Sequence, residues 1–301
     1  MSGPRMHADE LDIDAALVRR LVAAQFPQWA ALPVEPVLPW GTENALFRLG
    51  VDLVVRLPRR SRTAERLEKE GEWLPRLAPA LRLAVPVPLG AGAPGDGYPS
   101  TWAVYSWLPG VPATAAAPDD ERRLATDLAQ FVADLQRIDP SGGPTPGEHN
   151  FFRGCPLALR DGSTRESIAT LASTIDADAV TATWEESLAA PAWERDPVWI
   201  HGDLDTRNLL VANGRLRAVI DWGGLGVGDP AADVMVAWKL RSGEAREVFR
   251  SNLAVDNATW ARARGWVLSQ AVMALAYYTP ETNPVLVQEA ERWLAVALAE
   301  S

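Results

Sequence analysis

Three polar side chains in the C-terminal half of the chain have the types and the spacing for phosphoryl-group chemistry. Asp203 follows a short apolar run, residues 198–200, that reads as a buried strand, so its carboxylate lies at a strand end. Asn208 comes soon after it in the chain, and Asp221 follows beyond a predicted turn. A carboxylate that accepts a hydroxyl proton, together with two oxygen ligands for a hard cation, is the arrangement that phosphoryl transfer requires.

A predicted β-hairpin brings Asn208 and Asp221 close to each other. Asn213-Gly214 is a strong two-residue turn signal between two apolar runs, because both residues can take a positive φ. With these residues as the turn, residue 208 pairs with residue 219, and Asp221 lies on the same face as Asn208 because side chains alternate along a strand. Diagonal neighbours on one face are about 7–8 Å apart, so one oxygen from each can reach a common Mg²⁺.

Each of these residues also has a purely structural interpretation. Asp203 could cap a loop, Asn208 could make a turn, and Asp221 could end a strand. The three residues together, at these spacings, favour the catalytic interpretation.

The sequence around these residues resembles a known enzyme family. The similar segments are residues 201–208 (HGDLDTRN), residues 220–222 (IDW) and residues 228–233 (GDPAAD). They resemble the catalytic and metal-binding region of the aminoglycoside phosphotransferases, which are small-molecule relatives of the protein kinases. The resemblance extends over nearly the whole chain. In the last segment Asp233 lies on a mostly apolar helix, where it could hold the catalytic loop by hydrogen bonds.

The resemblance implies an α+β, two-lobed protein-kinase-like fold. Residues 1–108 would form a nucleotide-binding lobe with a small antiparallel sheet, and residues 109–301 a mostly helical lobe with the catalytic loop and the acceptor site. ATP or GTP would lie between the lobes and donate its γ-phosphoryl group to a hydroxyl of a small molecule. Asp203 would accept the hydroxyl proton, Asn208 and Asp221 would hold Mg²⁺, and Arg207 would add positive charge to the catalytic loop.

The resemblance also implies nucleotide contacts in the first lobe. The turn between the first two predicted strands contains Gly41, Thr42 and Asn44, whose backbone N–H groups could hold phosphates, although a plain hairpin turn is an equal alternative. Backbone groups from Ser106 to Leu108, at the end of a later strand, would pair with the edge of the base. In the second lobe the segment 148–154 could shape the substrate pocket.

Arg56 departs from the family pattern. It stands on the third predicted strand, where the kinase-like family usually carries a lysine. Neither of the two lysines, Lys69 and Lys239, is placed for that role. An arginine can still bind phosphate through its planar guanidinium, so we expect Arg56 to contact the nucleotide.

The usual partner of that lysine is a glutamate on the next helix, which the sequence predicts over residues 63–77. Glu70 fits the family position best. Glu68 and Glu72 are the alternatives, and a solvated charged face is the structural interpretation of all three.

Composition and charge limit the class of protein. The chain has 301 residues, of which 48% are hydrophobic and 23% charged, a globular composition with room for one large domain or two lobes. The first 110 residues hold 12 basic and 12 acidic side chains, so the net charge of −10 belongs to residues 111–301. This acidity argues against nucleic acid and suits a cationic acceptor, with simple solubility as the alternative.

Other motifs exclude further classes of chemistry. Cys155 is the only cysteine, which rules out an internal disulfide and fits a cytoplasmic location. The sequence has no zinc cluster of usual spacing, no Walker A motif and no Gly-x-Ser-x-Gly elbow. No signal peptide is evident, and the longest nearly apolar run, residues 267–278, is too short to span a membrane.

The family resemblance implies an antibiotic acceptor, an aminoglycoside in the first place and a macrolide in the second. Two alternatives stay open. One is a kinase of a small metabolite such as an amino alcohol or a sugar, because fold and motif are shared among kinases of different alcohols. The other is a kinase-like binding protein without activity; the missing lysine supports it, and the intact Asp203, Asn208 and Asp221 oppose it.

Overall fold

The computed structural model describes residues 10–38, 43–60, 64–115 and 120–299. Their contacts divide the chain into two compact units. The first unit contains the residues up to Pro109 together with Ala218–Gly223, and the second contains Gly110–Arg217 and the residues from Gly224 on. The predicted lobe boundary between residues 108 and 109 stays a prediction. The segment around Asp221 groups with the first unit, although it follows the catalytic loop in sequence.

The first unit contains a five-stranded antiparallel sheet. Its strands, in the order β1-β2-β3-β5-β4, are β1 (Val34–Pro36), β2 (Asn44–Leu49), β3 (Leu53–Pro58), β4 (Pro88–Gly92) and β5 (Trp102–Ser106). Along β2 every second side chain is buried, because successive side chains point to opposite faces of the sheet. One face of the sheet therefore contributes to a core.

Two α-helices belong to the described part of the first unit. The helix α1 (Ala15–Gln25) begins after Asp14, whose carboxylate accepts a hydrogen bond from the first turn. The helix α2 (Ala64–Leu77) carries Glu70, which is fully buried. The core between α1 and the sheet contains Leu17, Val18, Leu21, Val22, Phe47, Val55 and Val104.

The second unit is mostly helical. Its helices are α3 (Glu121–Gln136), α4 (Asp161–Thr170), α5 (Ala177–Ala189), α6 (Ala231–Val234), α7 (Gly243–Leu253), α8 (Asn257–Tyr277) and α9 (Pro284–Leu298). The helix α8 packs against α4, α5, α6 and α9, and α3 packs against α7. Within the described ranges, none of the helices combines the length and the apolar character needed to cross a membrane.

Short strands outside the five-stranded sheet frame the predicted catalytic loop. They are β6 (Val111–Pro112), β7 (Val198–Ile200), β8 (Leu209–Ala212), β9 (Arg215–Val219) and β10 (Gly226–Gly228). The strands β7 and β10 pair antiparallel, and β6, β8 and β9 form a second small sheet. Asn213 and Gly214 connect β8 to β9 with φ of 52° and 69°, which confirms the predicted two-residue turn.

Candidate active site

A buried polar cluster surrounds Arg56 in the first unit. Arg56 projects from β3 and donates from Nη1 to both carboxylate oxygens of Glu70, at 2.9 and 2.6 Å. Its Nη2 donates to Oδ1 of Asp221 at 3.1 Å. The competing Glu68 and Glu72 are exposed. Glu70 is therefore the partner of Arg56, as the helix position predicts, while a contact of Arg56 with phosphate stays a prediction.

Two further side chains complete the cluster. With its amide oxygen toward Arg56, Asn44 accepts hydrogen bonds from Nε at 3.1 Å and from Nη2 at 2.9 Å. The hydroxyl of Tyr105 on β5 donates to Oε2 of Glu70 at 3.1 Å. Burial by itself would lower the pKa of Arg56, but Glu70 and Asp221 raise it above its usual value. The guanidinium is therefore a permanent cation at this position.

Asp221 follows β9 with a backbone conformation that few residues adopt. Its φ is +64°, a left-handed conformation that Asp tolerates better than most L-residues. Its side chain is 50% exposed, so the carboxylate is open to a ligand. Nearby, Lys69 on α2 donates from Nζ to the carbonyl oxygen of Gly223 at 2.9 Å. Burial lowers the pKa of Lys69 to about 8. Sequence reasoning gave Lys69 no role, because its contact joins distant parts of the chain.

The predicted catalytic loop connects β7 to β8 in the second unit. The side chain of Asp203 is 37% exposed, and its backbone N–H donates to Nδ1 of His201 at 3.2 Å. Asn208 donates from Nδ2 to the backbone oxygen of Asp203 at 2.9 Å, which orients its amide oxygen toward other partners. The loop thus presents a partly exposed carboxylate and an amide oxygen, the groups that the sequence singles out.

Asp233 anchors the beginning of this loop. The side chain is fully buried on α6, where Oδ2 accepts from the backbone N–H of His201 at 2.7 Å and Oδ1 from that of Gly202 at 2.8 Å. Burial raises the pKa of Asp233 to about 7, and the two backbone hydrogen bonds oppose this rise. The predicted hydrogen bonds between Asp233 and the loop are therefore confirmed.

A buried ion cluster holds the second half of the loop. Asp205 accepts from Nε of Arg207 at 2.8 Å and from Nη2 at 3.0 Å, and Nζ of Lys239 lies 3.1 Å from Oδ2 of Asp205. Burial disfavours the charged carboxylate, but Arg207 and Lys239 outweigh it and hold the pKa of Asp205 well below its usual range. Lys239 also donates to the backbone oxygen of Leu204 at 3.2 Å. The catalytic role predicted for Arg207 stays a prediction.

Arg153 brings a cation toward Asp203 from another part of the second unit. It is 8% exposed, and its Nη2 lies 4.0 Å from Oδ1 of Asp203. Burial lowers the pKa of Arg153, whereas Asp203 and Asp233 raise it. Sequence reasoning gave the segment 148–154 only a general place in the substrate pocket. It missed Arg153, because nothing in the local sequence indicates a contact with Asp203.

Comparison with known families decides what kind of enzyme this is. Residues 35–266, most of the chain, match the APH phosphotransferase enzyme family. The chain belongs to this family. The family match establishes the chain as a small-molecule O-phosphotransferase with an alcohol group as acceptor, as the sequence predicts.

Solved structures have the same fold as this phosphotransferase. The GDP complex of wild-type aminoglycoside 2'-phosphotransferase-IIIa is 21% identical, with a TM-score of 0.74, over 95% of this chain and 99% of that chain. The apoenzyme of macrolide 2'-phosphotransferase MphH from Brachybacterium faecium is 26% identical, with a TM-score of 0.62, over 96% of this chain and 98% of that chain. A comparison with curated proteins gives no match. The structural likeness confirms the predicted α+β, protein-kinase-like fold class.

Asp221 in the first unit and Asn208 in the second each offer an oxygen atom of the type that Mg²⁺ binds, and their joint binding of one ion stays a prediction. Within the described ranges, no group of three or more His, Cys, Asp or Glu side chains could hold a metal by itself. Mg²⁺ needs fewer protein ligands, because it keeps waters and binds substrate phosphates beside one or two carboxylates. The half-exposed Asp221 carboxylate and the amide oxygen of Asn208 are ligands of the right type.

The structure describes only some of the other residues that are predicted to contact the nucleotide. Gly41 and Thr42 lie outside the described residues. Ser106 ends β5 and pairs with Leu53, and Leu108 follows with a half-buried side chain. Contacts of their backbone with a base stay a prediction.

Proposed function

We propose that this phosphotransferase moves the γ-phosphoryl group of ATP or GTP to a hydroxyl of an antibiotic, an aminoglycoside in the first place and a macrolide in the second. The match of residues 35–266 to the phosphotransferase family is the observation that supports this type of reaction. The antibiotic acceptor is supported by the solved structures, which are aminoglycoside and macrolide 2'-phosphotransferases. The single cysteine supports a cytoplasmic location.

In this reaction Asp203 orients the acceptor hydroxyl and accepts its proton. The hydrogen bonds that Asp233 accepts and the one that Asn208 donates hold the loop on both sides of Asp203, so the base is positioned before the acceptor binds. The buried Asp205 holds Arg207 within the loop and pairs with Lys239 outside it, so we assign Arg207 a positioning role beside its positive charge.

In the nucleotide half of the reaction Arg56, braced by Glu70, contacts phosphate, and Asn208 and Asp221 hold Mg²⁺. The support is the cluster in which Arg56 contacts both Glu70 and Asp221. The metal would neutralise charge on the transferring phosphoryl group.

The substitution Asp203→Asn tests the proton acceptor. The amide keeps the size of the carboxylate but cannot take a proton, so we expect kcat to fall by about 10²–10⁴-fold. Steady-state turnover with Mg²⁺ and ATP or GTP measures this, with circular dichroism to show that the fold is intact. Asp178→Asn, an exposed aspartate on α5, is the matched control. Near-normal kcat in Asp203→Asn would remove Asp203 as the base.

The acceptor is tested by the same assay across aminoglycosides, macrolides, amino alcohols and sugars. Turnover with an antibiotic that is lost in Asp203→Asn would support the proposal. The second candidate, a metabolite kinase, is favoured by Arg153, because a cation next to Asp203 is unfavourable for a polycationic acceptor. Tight nucleotide binding without turnover on any acceptor would favour a kinase-like binding protein.

A further inference from the structure

Two arginines of the second unit share one aromatic ring close to Asp203. The guanidinium carbon of Arg153 lies 5.6 Å from the ring centre of Trp266, and that of Arg160 lies 4.8 Å from it. Like charges repel each other, and more strongly where water is excluded. Such a pair requires nearby negative charge from the protein or from a ligand.

The described protein places negative charge beside Arg153, where Asp203 and Asp233 raise the pKa of its guanidinium, but not within ion-pair distance of Arg160. The one ion pair of Arg153 is with Asp203, at 4.0 Å. Arg160 makes no ion pair with any of the described residues and instead contacts Oγ of Ser269 and Sδ of Met273, each at 2.9 Å. Burial and then the neighbouring Arg153 lower the pKa of Arg160 to about 9, which agrees with a poorly compensated cation.

Three buried polar atoms around the ring have no hydrogen-bond partner among the described residues. They are the donors Nε of Arg153 and Nε1 of Trp266 and the acceptor Oε1 of Gln270. Gln270 lies one turn after Trp266 on α8, and Met273 lies on the same face. Arg160, Gln270 and Met273 are each partly exposed, so a ligand can reach this face. A carboxylate or phosphate at this face can accept hydrogen bonds from the partly exposed side chains of Arg160 and Gln270.

We propose that Arg153, Arg160 and Gln270 form an anion-binding subsite of the acceptor site, so that the acceptor carries a carboxylate or phosphate group together with free hydroxyls. This inference rests on the proposed function, in which Asp203 receives the proton of the acceptor hydroxyl. Arg153 connects the two, because its Nη2 lies 4.0 Å from the Asp203 carboxylate. The acceptor class is then a hydroxy acid or an acidic sugar, which corresponds to the metabolite-kinase candidate of the proposed function and not to the antibiotic.

Three polyols that differ only at C1 test the charge of the acceptor. Gluconate carries a carboxylate there, sorbitol a hydroxyl and glucamine an ammonium group. Each is titrated by calorimetry into the full-length enzyme saturated with MgADP, which occupies the nucleotide site and keeps the probes away from Arg56. Because hydrogen bonds to charged groups are strong, we expect gluconate to bind at least about tenfold more tightly than sorbitol, and glucamine to bind most weakly.

Removal of either arginine charge is expected to abolish this preference. Arg160→Met and Arg153→Met keep an apolar side chain of similar length, so gluconate should bind each variant no better than sorbitol does. The control is Arg165→Met, which removes an exposed arginine of α4 that pairs with Asp161 and Glu185. Thermal unfolding checks each variant. If Arg153→Met does not fold, Arg160→Met still tests whether the preference for gluconate depends on an arginine charge, because Arg160 is only partly buried.

Several results would overturn the subsite. The subsite is wrong if glucamine binds as tightly as gluconate, if the preference for gluconate persists in Arg160→Met, or if none of the three polyols binds detectably. The proposed function is judged separately. Turnover of a cationic acceptor that Asp203→Asn abolishes would remove the subsite and keep the phosphotransferase. Gluconate binding that depends on Arg160, without turnover on any acceptor, would keep the subsite and remove the proposed function.

Discussion

Lys69 and Glu70 are adjacent in the sequence but contact different groups: Glu70 contacts Arg56, and Lys69 contacts the backbone of Gly223. Successive residues of an α-helix point about 100° apart, so Glu70 faces Arg56 while Lys69 reaches the carbonyl oxygen of Gly223. Gly223 lies two residues after Asp221. A lysine therefore contacts the segment of the proposed metal ligand, although β3 carries an arginine. This placement weakens the interpretation of the chain as an inactive binding protein, whose support is the missing lysine.

The substitution Lys69→Met tests whether burial of this ammonium group affects stability. Burial lowers the pKa of Lys69 from 10.5 to about 8 in the folded protein. Between these values the unfolded chain holds a proton that the folded protein has released, so the wild type gains stability as the pH rises. Methionine does not titrate. We therefore expect the unfolding free energy of the wild type, minus that of Lys69→Met, to increase over this pH interval in urea denaturation.

A second variant serves as the control for this titration. Lys69→Arg keeps a positive charge that does not titrate in the same interval, because the guanidinium pKa is far higher. Its stability relative to Lys69→Met should show no comparable rise with pH. A difference between wild type and Lys69→Met that does not change with pH would show that Lys69 keeps an ordinary pKa.

Sequence reasoning at this scale found residues that belong to short motifs. Asp203, Asn208 and Asp221 lie within segments of characteristic spacing, and Glu70 lies on a helix that directly follows the strand of Arg56. Arg153 could not be found in the same way. Arginines usually lie on protein surfaces, and the contact of Arg153 with Asp203 arises only when the chain folds. The contacts of Lys69 and Lys239 were not predictable for the same reason.

At the scale of secondary-structure elements, the pairing of β7 with β10 brings two glycine positions into contact. Gly202 begins the catalytic loop with φ of +78°, and a Cβ atom there would lie 2.1 Å from the carbonyl oxygen of Gly224. Both the backbone conformation and the space therefore require glycine. The backbone N–H of this same glycine donates to Oδ1 of Asp233.

We predict that Gly202→Ala destabilises the protein and lowers its turnover. The left-handed conformation costs about 1–3 kcal/mol for a residue with a side chain, and the contact with Gly224 adds to this. The matched control is Gly162→Ala on α4, where nothing lies within 4 Å of the new atom. That substitution should instead stabilise the protein by about 0.4–1 kcal/mol. Urea denaturation measures both, and equal effects of the two substitutions would contradict the structure.

Local turn chemistry made several elements predictable. The Asn213-Gly214 turn depends on neighbouring residues alone, and the helix predicted over residues 63–77 is present as α2, so the sequence was sufficient for both. The grouping of Ala218–Gly223 with the first unit was not predictable. It depends on contacts such as the backbone hydrogen bond from Val219 to Ala84 at 3.0 Å, which joins segments far apart in the chain.

At the scale of the whole molecule, net charge and site charge differ. The net charge of −10 predicts a cationic acceptor, yet Arg153 is the charged group that approaches Asp203. Most charged side chains lie on the surface, where water and salt screen them, so they mainly affect solubility and long-range attraction. A buried guanidinium is screened much less and acts on a bound acceptor directly. The local arrangement therefore deserves more weight than the composition in any argument about the acceptor.

Nucleotide binding should stabilise the whole protein, because a ligand that binds only the folded state lowers its free energy. At a concentration about 100-fold above its Kd, MgATP or MgGTP should add about 2.7 kcal/mol to the unfolding free energy. Differential scanning fluorimetry would show this as a rise in Tm, and the nucleotide with the larger rise is the preferred donor.

Arg56→Ala should reduce this rise in Tm, since the guanidinium is proposed to contact phosphate. Asp221→Asn should make the rise less dependent on Mg²⁺. A chelator should lower the wild-type Tm rise toward that of Asp221→Asn, and the control Asp178→Asn should respond to the chelator as the wild type does. A rise that is equal in wild type and Arg56→Ala would place the nucleotide away from this cluster.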